Sequence, residues 1–325
     1  MKPLAFLLLA SSLLPAAEPA SPPRTTDKVE FTIGPVYADA PELNVKDGVP
    51  RGEIHEFVMK SEDSAIYKGI AKKQPGTVPY ERKVAVYVPK QLDKKQPAPF
   101  IVAQDGLGYL GVLPKALDTL IHEKRVPAMV AIMINSGGGD SKGSQRGLEY
   151  DTVSGLYAEF IEKEVLPKIE KDYDLKFTKD PEARATMGGS SGGAAAFSMA
   201  WFHPEWYHRV LTYSGTYVDQ QSPPNPASPH GAWEYHENFI PKEKPKPIRI
   251  WLQVSENDNG SKRDEASLHN WVMANQRMAA ALKAKGYQYR YDFSEGAGHT
   301  DGRVTKQTLP GALEWLWEGY DKKGK

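Results

Sequence analysis

Short apolar runs alternate with stretches of helical period along most of the chain. Residues 82–88 are the clearest early run. Val84, Val86 and Val88 fall on one side of an extended chain, and Lys83, Ala85 and Tyr87 on the other. With residues 53–59 they read as two half-buried antiparallel strands. Past residue 100 the pattern changes. Nearly continuous apolar runs at 100–103, 128–134, 185–187, 210–213, 248–254 and 287–293 are separated by helical segments, clearest at 152–171, 268–285 and 308–318. The last carries Leu309, Leu313, Leu316 and Trp317 on one side. Strands without polar alternation, interleaved with helices, imply a parallel sheet covered on both faces. The expected class is α/β, a mostly parallel central sheet with antiparallel strands at its N-terminal edge. Residues 51–325 form one domain, and no internal repeat is visible.

Three segments stand apart from this alternation. Residues 1–17 combine Lys2, an apolar run from Pro3 to Leu14, and the small residues Ala16 and Ala17. This is the layout of a cleavable secretory leader, too short to anchor in a bilayer, so the mature protein is expected to be periplasmic or extracellular, with no stable membrane insertion. Residues 18–50 are rich in proline and polar groups and read as an exposed N-terminal arm. Residues 216–247 interrupt the alternation with proline, asparagine and aromatics. Tyr217, Trp233, Tyr235 and Phe239 argue against disorder, so an ordered lid or pocket wall is expected, with Tyr217 and Trp233 touching substrate.

Composition narrows the chemistry. Lys plus Arg and Asp plus Glu are equal at 41 each, so no general field exists to gather nucleic acid. The sequence of 325 residues contains no cysteine. That excludes a thiol nucleophile, a Cys-ligated zinc and a disulfide-dependent fold, and leaves a core of this size to stabilise an exported protein alone.

The strongest motif is MGGSSGG, Met187 to Gly193, between a short strand and an Ala-rich helix. In that context G-x-S-x-G marks a turn so tight that small residues must flank a serine nucleophile. Two frames fit: Ser190 between Gly188 and Gly192, and Ser191 between Gly189 and Gly193. Spacing does not choose between them. A general base should follow later in the chain, and His299 in EGAGHT lies just before the last helix with small neighbours. His55, His122, His203, His208, His230 and His236 fit that position less well. The orienting acid should end the strand at 248–254, where SENDNG offers Glu256, Asp258 and, further on, Asp264; Asp258 is the choice. Read as an EF-hand loop, the same run lacks carboxylates at its first and twelfth positions, so no metal is expected.

An oxyanion hole needs the backbone N–H after the nucleophile, and a second from a loop after an early strand. Ser191 supplies the first, and Leu107 in AQDGLGY is the candidate for the second. Arg146 lies near the end of the Gly-rich run at residues 135–147, which lacks phosphate-loop spacing, and Glu149 follows it. They are candidates either for substrate binding or for a buried ion pair.

These ordered motifs resemble the putative-esterase family of α/β-hydrolases, which includes enterochelin, feruloyl and acetylxylan esterases, S-formylglutathione hydrolases and mycolyltransferases. The likeness spans roughly residues 82–320. It rests on QDGLG, RGLEYDTVSGLYAEFIEKEVLP, MGGSSGG with HPEWYHRVLTYSG, VSENDN and GAGHT. It implies the α/β-hydrolase fold, with Ser190 as nucleophile, Asp258 as acid, His299 as base, and Leu107 and Ser191 as oxyanion donors. Ser191 departs from the family, many of whose members carry Met there. The implied activity is cofactor-free ester hydrolysis through an acyl-enzyme, the preferred substrate being feruloyl or acetyl groups on plant polysaccharide. A siderophore trilactone, acyl transfer with the same triad, and carbohydrate binding without turnover stand as alternatives.

Overall fold

A computed structural model describes residues 29–70, 76–140 and 142–320. The leader at 1–17 lies outside them. Among the described residues nine strands form one sheet: β1 (Glu30–Ile33), β2 (Glu53–Lys60), β3 (Glu81–Val88), β4 (Phe100–Gln104), β5 (Val130–Ile134), β6 (Arg184–Gly189), β7 (Arg209–Tyr213), β8 (Arg249–Asn257) and β9 (Gln288–Gly298). Their order is β1-β9-β8-β7-β6-β4-β5-β3-β2. Only the β2–β3 and β3–β5 pairs are antiparallel. The antiparallel edge predicted from residues 53–88 is therefore present. Its second strand is buried on both sides from Val84 to Val88, because β5 and β2 flank it and helices cover it, so only β2 is half-buried.

The helices are α1 (Leu113–His122), α2 (Gln145–Tyr150), α3 (Leu156–Phe160), α4 (Leu166–Tyr173), α5 (Ser191–Phe202), the short α6 (Ile240–Lys242), α7 (Trp271–Ala284) and α8 (Gly302–Trp317). The core under α1 and α8 includes Leu117, Ile101, Met187, Leu211, Leu313 and Leu316. The opposite face packs α3, α4, α5 and α7 through Phe160, Ile169, Phe197 and Met278. Sheet residues pointing both ways are fully buried, which is why β4, β5, β6 and β7 show no polar alternation.

The helix expected at 152–171 is broken. A π turn, Ile161–Val165, separates α3 from α4. Pro167 lies in the first turn of α4, where its missing N–H and its ring against the preceding turn disfavour regular i→i−4 bonding.

Two expectations about the flanking segments change. The arm at 18–50 is tied down from residue 30, where β1 adds a parallel strand to β9. Tyr289 Oη also donates to Glu30 at 2.6 Å. The insertion at 216–247 is ordered, but its aromatics point inward. Tyr217, Trp233 and Tyr235 are each at most 1% exposed. Tyr217 and Tyr235 meet Phe197 edge-on at 5.8 and 4.8 Å, and Tyr235 pairs with Ser198 at 2.6 Å. The segment covers the outer side of α5, where apolar area is removed from water, and these aromatics join the core there. Among the described residues no helix is long and apolar enough to cross a membrane.

Candidate active site

The turn from β6 to α5 carries Ser190 at φ 56° and ψ −129°, outside the usual regions for a residue with a Cβ. Holding such a conformation costs about 1–3 kcal/mol and requires fixed surroundings. Here the N–H of Ser190 donates to Tyr213 O at 2.9 Å, and Thr216 N–H donates to Ser190 O at 3.0 Å. Gly188 is needed for the turn, since a Cβ there would lie 2.4 Å from backbone atoms of Gly192.

Three side chains from three loops at the C-terminal ends of the strands meet in series. His299 Nε2 lies 2.8 Å from Ser190 Oγ, and His299 Nδ1 lies 2.5 Å from Asp258 Oδ1. With a carboxylate as its partner, Nδ1 carries the proton and Nε2 is the acceptor for the serine hydroxyl. Asp258 is only 3% exposed. Its other oxygen accepts from Ser214 Oγ at 2.5 Å, and Asn259 N–H donates to Oδ1 at 2.8 Å.

This geometry separates candidates that the sequence left close. Glu256 accepts from Gly296 N–H, and Asp264 caps the turn at Ser267, so neither approaches His299. Ser191 opens α5 with its hydroxyl toward Gln220 Nε2 at 3.5 Å and toward the Asp151 carboxylate, on the side away from His299. Burial pushes the Asp151 carboxyl up to about 6, against the lowering effect of its hydrogen bonds from Ser191 and Gln220.

The two oxyanion candidates differ. The N–H of Ser191 sits in the first turn of α5, where no intrahelical acceptor exists. The N–H of Leu107 instead donates to Asn135 Oδ1 at 3.2 Å. Gly106 sets that loop against β5, since a Cβ on it would lie 2.3 Å from Met133 Cα. In this conformation the carboxamide of Asn135 holds the second candidate amide, a side-chain contact that spacing could not reveal.

Arg146 and Glu149 part company. Arg146 lines a cleft of about 410 Å³ with Asp105, Tyr109, Val112, Ser190 and His299. Its guanidinium bonds Asp105 Oδ2 at 2.6 Å and Asp140 at 2.8 Å. Glu149 is 2% exposed and faces away from the cleft. It accepts from both Arg82 terminal nitrogens at 2.6 and 2.7 Å, from Tyr80 at 3.0 Å and from Gln145 at 2.7 Å. It forms a buried ion pair with Arg82 of β3 and makes none with Arg146. Tyr217 and Trp233, expected to touch substrate, are core residues absent from the cleft.

Sequence reasoning missed Ser214, Thr216 and Trp271. Thr216 Oγ1 lies 3.3 Å from Ser190 Oγ and accepts from Trp271 Nε1 at 3.2 Å. The run TYSGTY, which closes the apolar strand next to the elbow strand, was the available signal: small hydroxyl residues at the sheet edge that carries the nucleophile. Among the described residues, no group of three or more His, Asp or Glu side chains is arranged to hold a metal ion.

Sheet order, elbow and the serine–histidine–aspartate series define the fold and site layout of the α/β-hydrolase class. The chain belongs to the family described as Putative esterase, whose model matches residues 76–316. No curated protein matches it significantly. Among solved structures it is similar to the enterobactin esterase FES from Shigella flexneri in the presence of 2,3-di-hydroxy-N-benzoyl-glycine. That likeness has a TM-score of 0.60 at 19% identity, over 87% of this chain and 63% of that one. The chain thus spans under two thirds of that esterase. It is also similar to a ferulic acid esterase, with a TM-score of 0.58 at 15% identity over 82% of this chain and 99% of that one. A feruloyl esterase module from Clostridium thermocellum complexed with sinapinate gives 0.56 at 14% identity, over 92% and 99%. At these identities the likeness is one of fold.

Proposed function

We propose that the protein hydrolyses carboxylic esters through an acyl-enzyme on Ser190. The observation that carries this reading is the unbroken series from Ser190 Oγ through both nitrogens of His299 to Asp258, at 2.8 and 2.5 Å, opening on a cleft. Ser190 Oγ bonds to the ester carbon while His299 Nε2 takes its proton, and the carbonyl electron pair moves onto oxygen beside Ser191 N–H. That pair returns as the alcohol leaves with the proton from His299. Water then adds in the same way, its proton passing to His299 and on to Ser190 Oγ as the acid departs. Asp258 keeps the imidazole in the required tautomer and stabilises the imidazolium.

The finer reading is an exported enzyme that removes feruloyl or acetyl groups from plant polysaccharide. Its support is the likeness to feruloyl esterases along nearly their whole length, against partial coverage of the enterobactin esterase. Tyr109 and Val112 offer the cleft an aromatic and an aliphatic surface for an acyl group. The aromatics at 217 and 233 no longer contribute. Export rests on residues 1–17 alone.

The test is kcat/KM on methyl ferulate, p-nitrophenyl acetate and a catecholate trilactone, with Ser190→Ala as the blank. Preference for ferulate with a dead variant supports both readings. Preference for the trilactone removes the polysaccharide reading, and an active Ser190→Ala removes the nucleophile.

A further inference from the structure

Ser190 Oγ has a second polar neighbour besides His299. Thr216 Oγ1 lies 3.3 Å away and is itself reached by the indole Nε1–H of Trp271 at 3.2 Å. The directions of these bonds follow from donor inventory. An indole N–H can only donate, so it occupies a lone pair of Thr216 Oγ1. Ser190 must give its own proton to Nε2 of His299, because Nδ1–H faces the Asp258 carboxylate. The hydrogen left between the two hydroxyls is that of Thr216, and it points at Ser190 Oγ. Thr216 is 1% exposed and its backbone N–H already holds Ser190 O at 3.0 Å, so the hydroxyl is carried on the same rigid contact that fixes the elbow. Trp271 is 7% exposed at the start of α7, and its ring meets that of His299 edge-on at 6.2 Å.

We infer that Thr216 is a further catalytic residue, donating its hydroxyl hydrogen to Ser190 Oγ, and that Trp271 is the positioning residue that aims it. The inference rests on Ser190 being the nucleophile. As Ser190 loses its proton to His299, negative charge grows on Oγ and the bond from Thr216 strengthens. In deacylation the C–Oγ bond breaks and Oγ again carries charge until His299 returns the proton. Thr216 keeps its own proton throughout, so no atom or electron is added to the reaction. A donor that binds the charged oxygen more strongly than the neutral one lowers the barrier on both sides of the acyl-enzyme. Hydrogen bonds of this kind are often long in the resting enzyme and shorten in the transition state.

The experiment compares wild type, Thr216→Val, Thr216→Ser, Trp271→Phe, the Thr216→Val/Trp271→Phe double variant and Ser190→Ala. It measures kcat and KM on p-nitrophenyl acetate and the rate of covalent labelling by a fluorophosphonate. Loss of a hydrogen bond to a charged atom predicts that Thr216→Val lowers kcat and the labelling rate by about 10–100-fold, with KM nearly unchanged. Thr216→Ser should return both to near wild type. Trp271→Phe should lower them by about 3–10-fold alone. It should add nothing in the Thr216→Val background, a coupling that a merely structural tryptophan would not show. A folded Thr216→Val that labels and turns over at the wild-type rate overturns the inference. Should that variant fail to fold, unchanged labelling of Trp271→Phe does the same. In either case a dead Ser190→Ala leaves the nucleophile standing, whereas an active Ser190→Ala overturns the nucleophile and this inference together.

Discussion

The hydroxyl of Ser214 donates to Oδ2 of Asp258 at 2.5 Å and accepts the backbone N–H of Thr300 at 3.1 Å. One small side chain at the end of β7 thus ties the acid to the residue that follows His299. Ser214→Ala removes a donor to Asp258 Oδ2 and the acceptor of the Thr300 N–H. It should lower kcat/KM on p-nitrophenyl acetate by about tenfold.

Gly188→Ala tests the elbow. The new Cβ would sit 2.4 Å from the backbone carbon and oxygen of Gly192, and backbone cannot swing aside as a flexible side chain can. The expected cost is at least about 2–3 kcal/mol, read as a lower urea midpoint, with loss of fluorophosphonate labelling in whatever protein folds.

Asp151 predicts a pH dependence of stability. Burial raises its carboxyl from the ordinary 3.8 to about 6, so between these values the native state holds a proton that the unfolded state has lost. Stability contributed at low pH is therefore withdrawn as pH rises through that window. Asp151→Asn has no proton to lose and can still accept from Gln220. Its stability relative to wild type should rise by roughly 1–3 kcal/mol between pH 4 and pH 7.5, measured by thermal unfolding at the two values.

Trp233→Ala separates core from pocket. The side chain is 1% exposed, edge-on to His236 at 4.5 Å and beneath the Arg277 guanidinium at 5.2 Å. Truncation should cost about 3–5 kcal/mol by chemical denaturation, as emptied aromatic core sites do. KM for methyl ferulate should not change in the folded fraction. A raised KM at unchanged stability would return this residue to the substrate site.

Much of this was readable from the chain. Apolar runs such as 100–103, 185–187 and 210–213 located β4, β6 and β7, because a parallel strand buried on both faces must be apolar along its length. The elbow was readable for a related reason: a strand-to-helix turn this tight tolerates only small residues around its serine. The early proline-rich arm was harder. Four residues, Glu30–Ile33, join the sheet through β9, some 260 positions away, and no local period announces so short an edge strand.

By itself the sequence determined the alternation of buried strands and helices from residue 100 onward and the glycine-framed turn, which depend on neighbours a few residues apart, and the chain order in which a serine, a carboxylate and a histidine are offered. Tertiary structure decided which carboxylate of SENDNG faces His299, and that Arg146 opens on the cleft while Glu149 closes on Arg82. It also decided that Tyr217 and Trp233 fill a core, and that Thr216 and Ser214 stand beside the reacting groups. The physical reason is that a side chain's direction at a loop or insertion is set by what packs against it. The contacts that set it here join residues 109 positions apart at Ser190 and His299 and 44 apart at Ser214 and Asp258.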